Sequence, residues 1–317
     1  MSVTTTVITL LAQLYDIVQF RLPPGPKFVP INWVLNTQKF GCWIWLLCLM
    51  IYYDNWSRGA WIYFFLHGTY GLSWIVKDLV FPDVTFRQKV TFGSALILIL
   101  VLITYLLPGY QMMSRVADNN PSKERIITAC VCYIVGIFLM IGADLQKNYI
   151  LKLGGGLIST GFFKTTRNPN YLGEMLIYSS FAIICGRWEF WMINIFVWLT
   201  LFLPRMVIKD ISLAKKKGWE NYDSYMLLPK LSSSHLDNFI IYSSLAILGL
   251  MLYKSCMCES NFSKCQCMEE LSTLLKFYQT PSLANLTKDL KAIISCFGDI
   301  ELFTLPSYSV NFMKSYL

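Results

Sequence analysis

The chain alternates between long apolar stretches and short polar ones. Apolar blocks run at about residues 40–53, 60–76, 92–107, 127–141, 172–185, 190–208 and 239–253. Their ends are marked by charges and helix breakers, such as Asp54, Asn55 and Arg58 after the first and Pro108 and Gly109 after the third. A helix needs roughly 20 residues to cross a 30 Å hydrocarbon core, so aromatic and polar residues at the block ends complete the shorter ones. This pattern predicts an all-α fold, a polytopic transmembrane helical bundle of about seven spans. Residues 1–39 precede the bundle with a short apolar run, 7–14, and a turn-rich stretch containing Pro23, Pro24, Gly25, Pro26 and Pro30. The run is short and lacks a basic leader, which argues against a cleaved secretory signal. It reads as an interfacial segment. Residues 40–253 form the transmembrane domain, and 254–317 form a more polar, Cys-containing extramembrane tail.

Composition narrows the class further. Of 317 residues, 55% are hydrophobic and 15% charged, with a mean hydropathy of +0.47. A soluble domain carries about 25% charged residues, and disordered or collagenous chains need high charge or periodic glycine. An integral membrane protein remains. The net charge is +8. With seven spans, sixteen basic residues fall on the side of the N-terminus and five in the short loops on the other side, which places the N-terminus on the cytosolic or matrix side. No zinc-finger, helix-turn-helix or RRM pattern accompanies the basic residues, so nucleic acid is not an expected partner; membrane lipids are.

Three polar clusters fall on that same side. The first is Asp144, Gln146 and Lys147 at the end of the fourth block. An ionisable group in lipid is costly and turns toward the bundle interior, a partner or headgroups. The second follows Gly154, Gly155 and Gly156 with Lys164, Arg167, Asn168, Pro169, Asn170, Tyr171 and Glu174. A helix starting at Pro169 offers unpaired backbone N–H groups to an anion, and Arg167 can grip a phosphate with two donors. Glu174 lies on the same helix face as Asn170. The third cluster holds Arg205, Lys209, Asp210, Lys215, Lys216, Lys217, Trp219, Tyr222 and Tyr225. The lysines alone fit a stop signal meeting anionic headgroups.

His67, within an apolar block, reads as a packed, hydrogen-bonded residue, and His235 carries no role. Two His exclude a histidine-rich metal site. Cys256, Cys258, Cys265 and Cys267 are weak metal candidates, because Cys-x-Cys pairs depart from the usual zinc spacing; in an oxidising compartment they form disulfides. Sequons at Asn55, Asn261 and Asn285 lie on the face of the tail.

The blocks resemble a known superfamily. The segment Gly161-Phe162-Phe163 … Arg167-Asn168-Pro169-Asn170-Tyr171-Leu172-Gly173-Glu174 is similar to the C-terminal signature of membrane steroid and sterol reductases, shared in part with isoprenylcysteine and phospholipid methyltransferases. Ala143-Asp144-Leu145-Gln146-Lys147 resembles the reductase side. The strongest likeness is to the DUF1295, or steroid 5-alpha-reductase C-terminal domain-like, proteins. It extends to Asn36-Thr37-Gln38-Lys39, Leu66-His67-Gly68-Thr69-Tyr70-Gly71-Leu72-Ser73-Trp74 and Lys77-Asp78 … Phe81-Pro82-Asp83, covering about residues 36–231.

The resemblance implies NADPH-dependent reduction of a C=C bond in a steroid- or lipid-like membrane substrate. It implies a cofactor pocket lined by Asp144, Gln146, Lys147, Lys164, Arg167, Asn170, Tyr171, Arg205, Asp210, Tyr222 and Tyr225. Glu174 and Tyr171 are the implied catalytic residues. The chain departs from the family at Asn168, where His is more usual, at Asp210, where Glu is common, and at Lys217, where an aromatic is expected. Two alternatives stand beside the reductase: a catalytically silent accessory or scaffold subunit contacting partner chains through residues 254–317, and a lipid-directed methyltransferase using S-adenosylmethionine. The endoplasmic reticulum is the expected membrane, with the mitochondrial inner membrane as the alternative.

Overall fold

The computed structural model of the protein describes residues 24–257, together with Leu10 and Gln13. A short strand, β1 (Lys27–Pro30), opens this region, followed by helices α1 (Ile31–Tyr52) and α2 (Arg58–Val80). Then come β2 (Lys89–Thr91), α3 (Phe92–Thr104), α4 (Leu107–Met113) and the long α5 (Lys123–Lys152). The series continues with α6 (Pro169–Cys185), α7 (Trp188–Val197), α8 (Leu203–Leu213) and α9 (His235–Met257).

Every apolar block is helical. Four stretches are long and apolar enough to cross a membrane: Ile31–Tyr52, Phe92–Met113, Lys123–Lys152 and Trp188–Leu213. The expectation of seven spans is met in that strict sense by four. Among the others, α6 has only 17 residues, and α2 carries Lys77 and Asp78 within its 23. Large apolar side chains face outward along the helices, including Ile44, Phe65, Phe138 and Phe196. Such a surface is stable against lipid and unstable against water. The chain is an integral membrane protein, mostly helical.

Local sequence sets the helix ends. Ser57, Thr91 and Ser122 accept hydrogen bonds from the amides of Ala60, Ser94 and Arg125 at the starts of α2, α3 and α5. Pro108, Pro169 and Pro204 occupy the first turns of α4, α6 and α8. The last turn of α6 ends on Gly186 in the left-handed conformation, φ 65°. The first helix begins at Ile31, nine residues before the first apolar block, because Ile31, Val34 and Leu35 bury against the core. The Pro-rich lead-in ends in β1, which pairs antiparallel with β2. This two-stranded ribbon is the departure from an all-α reading.

Two close backbone approaches position the site. A Cβ on Gly173 of α6 would lie 2.6 Å from the Gly136 carbonyl of α5, and one on Gly136 would lie 2.7 Å from the Gly173 carbonyl. Small residues on both faces let the helices touch main chain to main chain. A Cβ on Gly71 of α2 would lie 2.4 Å from the Lys39 carbonyl of α1. The first crossing brings Asp144 beside Glu174. The second brings Lys39 against Tyr70 and Trp74.

Residues 254–257 of the expected tail continue α9; the rest of it, 258–317, lies outside the described residues, so Cys258, Cys265 and Cys267 do as well. Cys256 sits in the last turns of α9. Among the described residues, Cys42, Cys48, Cys130, Cys132 and Cys185 are free thiols, and no group of His, Cys, Asp or Glu is arranged to hold a metal ion.

Candidate functional site

Charged side chains are concentrated in the interior of the bundle. Lys39, Lys77 and Asp144 are 4%, 6% and 8% exposed. Lys77 forms an ion pair with Asp144, and its ammonium lies 4.4 Å from the Trp74 ring centre. The Lys39 ammonium donates to the Tyr178 hydroxyl at 2.9 Å and to the Tyr70 hydroxyl at 3.2 Å. Glu174, one helical turn before Tyr178, faces the charges of Lys77, Lys39, Asp144 and Arg205. Lys39 and Lys77 therefore leave the tally of surface cations that set the predicted orientation; they belong to the interior.

A second cluster forms where the chain after α8 returns to the start of α6. Thr166 and Tyr225 make an isolated parallel bridge. The Arg167 amide donates to the Tyr225 carbonyl at 2.9 Å, and the Lys230 amide to the Thr165 carbonyl at 2.7 Å. Within this frame Arg167 grips Asp210 with two donors, Nε at 3.0 Å and Nη2 at 2.7 Å. Its Nη1 donates to the Ser224 carbonyl, and its guanidinium lies 5.4 Å from the Trp219 ring centre. Lys209 donates to the Arg167 carbonyl at 2.7 Å. Tyr222 donates to the Phe163 carbonyl, and burial pushes its phenol pKa up. Tyr225 meets His235 Nδ1 at 2.8 Å. The helix α8 joins the two clusters, with Arg205 facing Glu174 and Asp210 holding Arg167.

The remaining expected cofactor residues are placed as follows. Gln146 Nε2 donates to the Thr160 carbonyl at 2.9 Å and its Oε1 accepts from the Phe162 amide at 3.0 Å. It thereby pins the turn at Gly161, whose φ of 58° favours glycine. Lys147 pairs with Asp83 at 2.8 Å. Burial alone would push the Asp83 carboxyl up, but Lys147 and the Thr85 amide hold it down at about 2. Lys164 is exposed. Tyr171 packs its ring 5.1 Å from Phe202. The Oδ1 atoms of Asn168 and Asn170 are buried without a donor. Asn168, wholly buried, spends its Nδ2 on the Met226 carbonyl at 2.7 Å. At the start of α6, the Arg167 and Asn168 amides already bond to Tyr225 and Thr166.

Sequence reasoning passed over Lys39, Tyr70, Lys77 and Tyr178. The available signal was a lysine near or inside an apolar block, which positive-inside counting absorbs as a flanking charge. His67 is a packed residue as read: 2% exposed, bonded to Tyr63 at 3.0 Å and stacked 4.5 Å from Phe181.

A helical membrane protein with an ionic interior and an arginine-clamped loop is the class these features define. Residues 79–227 match the family model described as "Protein of unknown function (DUF1295)". The chain is 25% identical over 197 residues to a Delta(14)-sterol reductase of Arabidopsis thaliana, covering 53% of this chain and 51% of that protein. It is 33% identical over 101 residues to an uncharacterized protein of Schizosaccharomyces pombe, covering 29% of each. The first match spans about half the length of the plant reductase. Residues 79–227 thus resemble the DUF1295 proteins, and about half of the chain resembles a sterol reductase. The family match begins at residue 79, so it takes in Asp144, Arg167, Glu174 and Asp210 but not Lys39, Tyr70 or Lys77.

Proposed function

We propose that the protein is a membrane oxidoreductase that uses NADPH to reduce a carbon–carbon double bond in a steroid- or lipid-like substrate. The observation that carries this reading is the ionic interior: Lys39, Lys77 and Asp144 buried inside an apolar bundle, with the half-buried Glu174 beside them. Each such charge costs several kcal/mol to hold away from water, and a purely architectural bundle is as stable or more stable with apolar residues there. Ionisable groups kept at that cost mark chemistry. The printed name of the plant relative supports the reaction class.

The residues present fit the dinucleotide. Lys164, Arg205 and Lys209 bring positive charge for its phosphates, and the unpaired Oδ1 atoms of Asn168 and Asn170 are acceptors suited to a carboxamide N–H. Arg167 is already saturated by Asp210 and Ser224. Its part is to hold the returning segment at Ser224 and Tyr225 against the start of α6. When bound, NADPH supplies a hydride. Glu174 keeps an acid within the bundle, beside the cations that balance it. Tyr171, on the same turn of α6, packs on Phe202 just before α8.

One observation favours a silent scaffold as the second reading: the internal satisfaction of Arg167, Gln146 and Lys147, each of which is spent on protein partners. Binding of NADPH and S-adenosylmethionine to protein in nanodiscs, followed by sterol-dependent NADPH oxidation, separates the readings. The reductase requires NADPH binding, with oxidation lost in Glu174→Gln while binding persists. S-adenosylmethionine binding indicates the methyltransferase. Binding of neither nucleotide sinks both enzyme readings.

A further inference from the structure

A small cavity between α1, α2 and the turn Val84–Arg87 has room for a single water, about 10 Å³. Its walls include Asn32 and Leu35 of α1, Trp74 and Lys77 of α2, and Asp83 and Phe86 beyond α2. Two ion pairs flank it. Lys77 pairs with Asp144, and both side chains are buried. Asp83 pairs with Lys147, and these side chains are 22% and 33% exposed. The cavity thus stands between the ionic interior and a pair that reaches solvent.

Hydrogen-bond counting shows what the cavity requires. Asn32 is 5% exposed; its Nδ2 donates to Asp78 at 3.2 Å, and its Oδ1 is buried with no donor. A buried amide oxygen left in this way is rare unless a water completes it. The described partners of the Lys77 ammonium are the Asp144 carboxylate and the face of Trp74, 4.4 Å from the ring centre. An ammonium has three N–H groups, so Lys77 has a donor left to spend. Asp78, which also borders the cavity, and Asp83 supply carboxylate oxygens. One water meets all of these needs: it accepts from Lys77 and donates to Asn32 Oδ1 and to a carboxylate. A metal cation suits the oxygens but is repelled by the ammonium.

We propose that this cavity binds an ordered water, and that this water is the route by which solvent protons reach the ionic interior. The binding site stands independently of the reductase reading; the use of the proton in turnover rests on it. In each passage Lys77 Nζ gives a proton to Asp144, and the amine so formed takes a proton from the water. The water takes one in turn from solvent at the edge marked by Asp83 and Lys147. One proton enters, the water is regenerated, and no electrons move. Trp74 and Phe86, whose rings lie 5.7 Å apart, and Leu35 wall the remaining sides with apolar surface.

Radiolytic hydroxyl-radical labelling of the full chain in nanodiscs tests the water, because radicals formed at a bound water oxidise the side chains beside it. Trp74, 6% exposed, should be oxidised in wild type far faster than Tyr63, another buried aromatic of α2. Asn32→Leu removes the acceptor and fills the space. It should cut oxidation of Trp74 several-fold and leave Tyr63 unchanged. If that variant does not fold, Phe86→Trp closes the space from the turn without touching Asn32 and must do the same. Oxidation of Trp74 no faster than of Tyr63, or indifferent to both substitutions, overturns the water. Oxidation of Trp74 that is suppressed by sodium or potassium and restored in choline identifies a cation as the occupant and overturns it equally. Turnover reads the route: in Asn32→Leu kcat should fall at unchanged KM, and azide, a small diffusible proton carrier, should restore it. Labelled Trp74 without any NADPH-dependent turnover leaves the water standing and removes the reductase reading, together with the use of the proton. Turnover unchanged in Asn32→Leu, with the label gone, overturns the proton route and leaves that reading intact.

Discussion

Gly136 of α5 and Gly173 of α6 touch through their backbones, each occupying the space in which the other's Cβ would sit. The contact sets the distance between the two helices that carry Asp144 and Glu174. Gly173→Ala would place a methyl group 2.6 Å from both the Gly136 carbonyl and the Met140 amide, where only backbone movement makes room. The expected loss is about 1–3 kcal/mol, seen as a lower melting temperature in nanodiscs. Gly41→Ala, with no atom within 4 Å of the new Cβ, serves as the control and is expected to be neutral.

The Lys77–Asp144 pair predicts an asymmetric pattern. Removing one partner leaves the other buried and uncompensated, so Lys77→Met or Asp144→Leu alone should each cost about 3–5 kcal/mol. The double substitution restores neutrality and should recover much of that loss. Thermal unfolding of the three variants forms the cycle; strictly additive losses would show that the two groups do not act as a pair.

Asp83 gives a dependence on pH. Its folded-state pKa of about 2 lies below its ordinary value of 3.8, so the unfolded chain binds the proton more tightly. The resulting stabilisation, about 2 kcal/mol, is complete above the ordinary value and disappears as pH falls from about 4 to 2. Asp83→Asn should flatten this component of the acid limb in denaturation curves measured across that range, with little further change below pH 2.

Asn55 matches a glycosylation sequon, but its side chain is inaccessible in the fold. It is 0% exposed, and its Nδ2 donates to the Met112 and Met113 carbonyls at 3.0 and 2.9 Å and to Asn119 at 2.6 Å. The folded protein from a glycosylating host should carry no glycan at this position by mass spectrometry. Asn55→Ala should cost about 1–3 kcal/mol through the carbonyls it leaves unpaired.

The helix positions were legible because membrane helices are written in local hydropathy. The blocks at 60–76 and 127–141 became α2 and α5 with their caps at Ser57 and Ser122. The helix start at Pro169 followed from proline's preference for the first turn. The anion-binding role of Arg167 was less legible. An arginine before a helix reads as a phosphate ligand, but Asp210, forty-three residues further along, takes both of its forward-facing donors. Nothing in the local pattern distinguishes a paired guanidinium from an open one.

The sequence by itself determined that this is a helical membrane protein with a steroid-reductase-like motif, since span length, apolarity and motif spacing are properties of contiguous residues. The tertiary structure alone decided which charges lie inside. Lys39 and Lys77 count as surface cations in a linear reading and become interior groups because glycines at 71, 136 and 173 let backbones close to contact. Burial and pairing depend on those helix crossings, and a crossing distance is set by residues far apart in the chain.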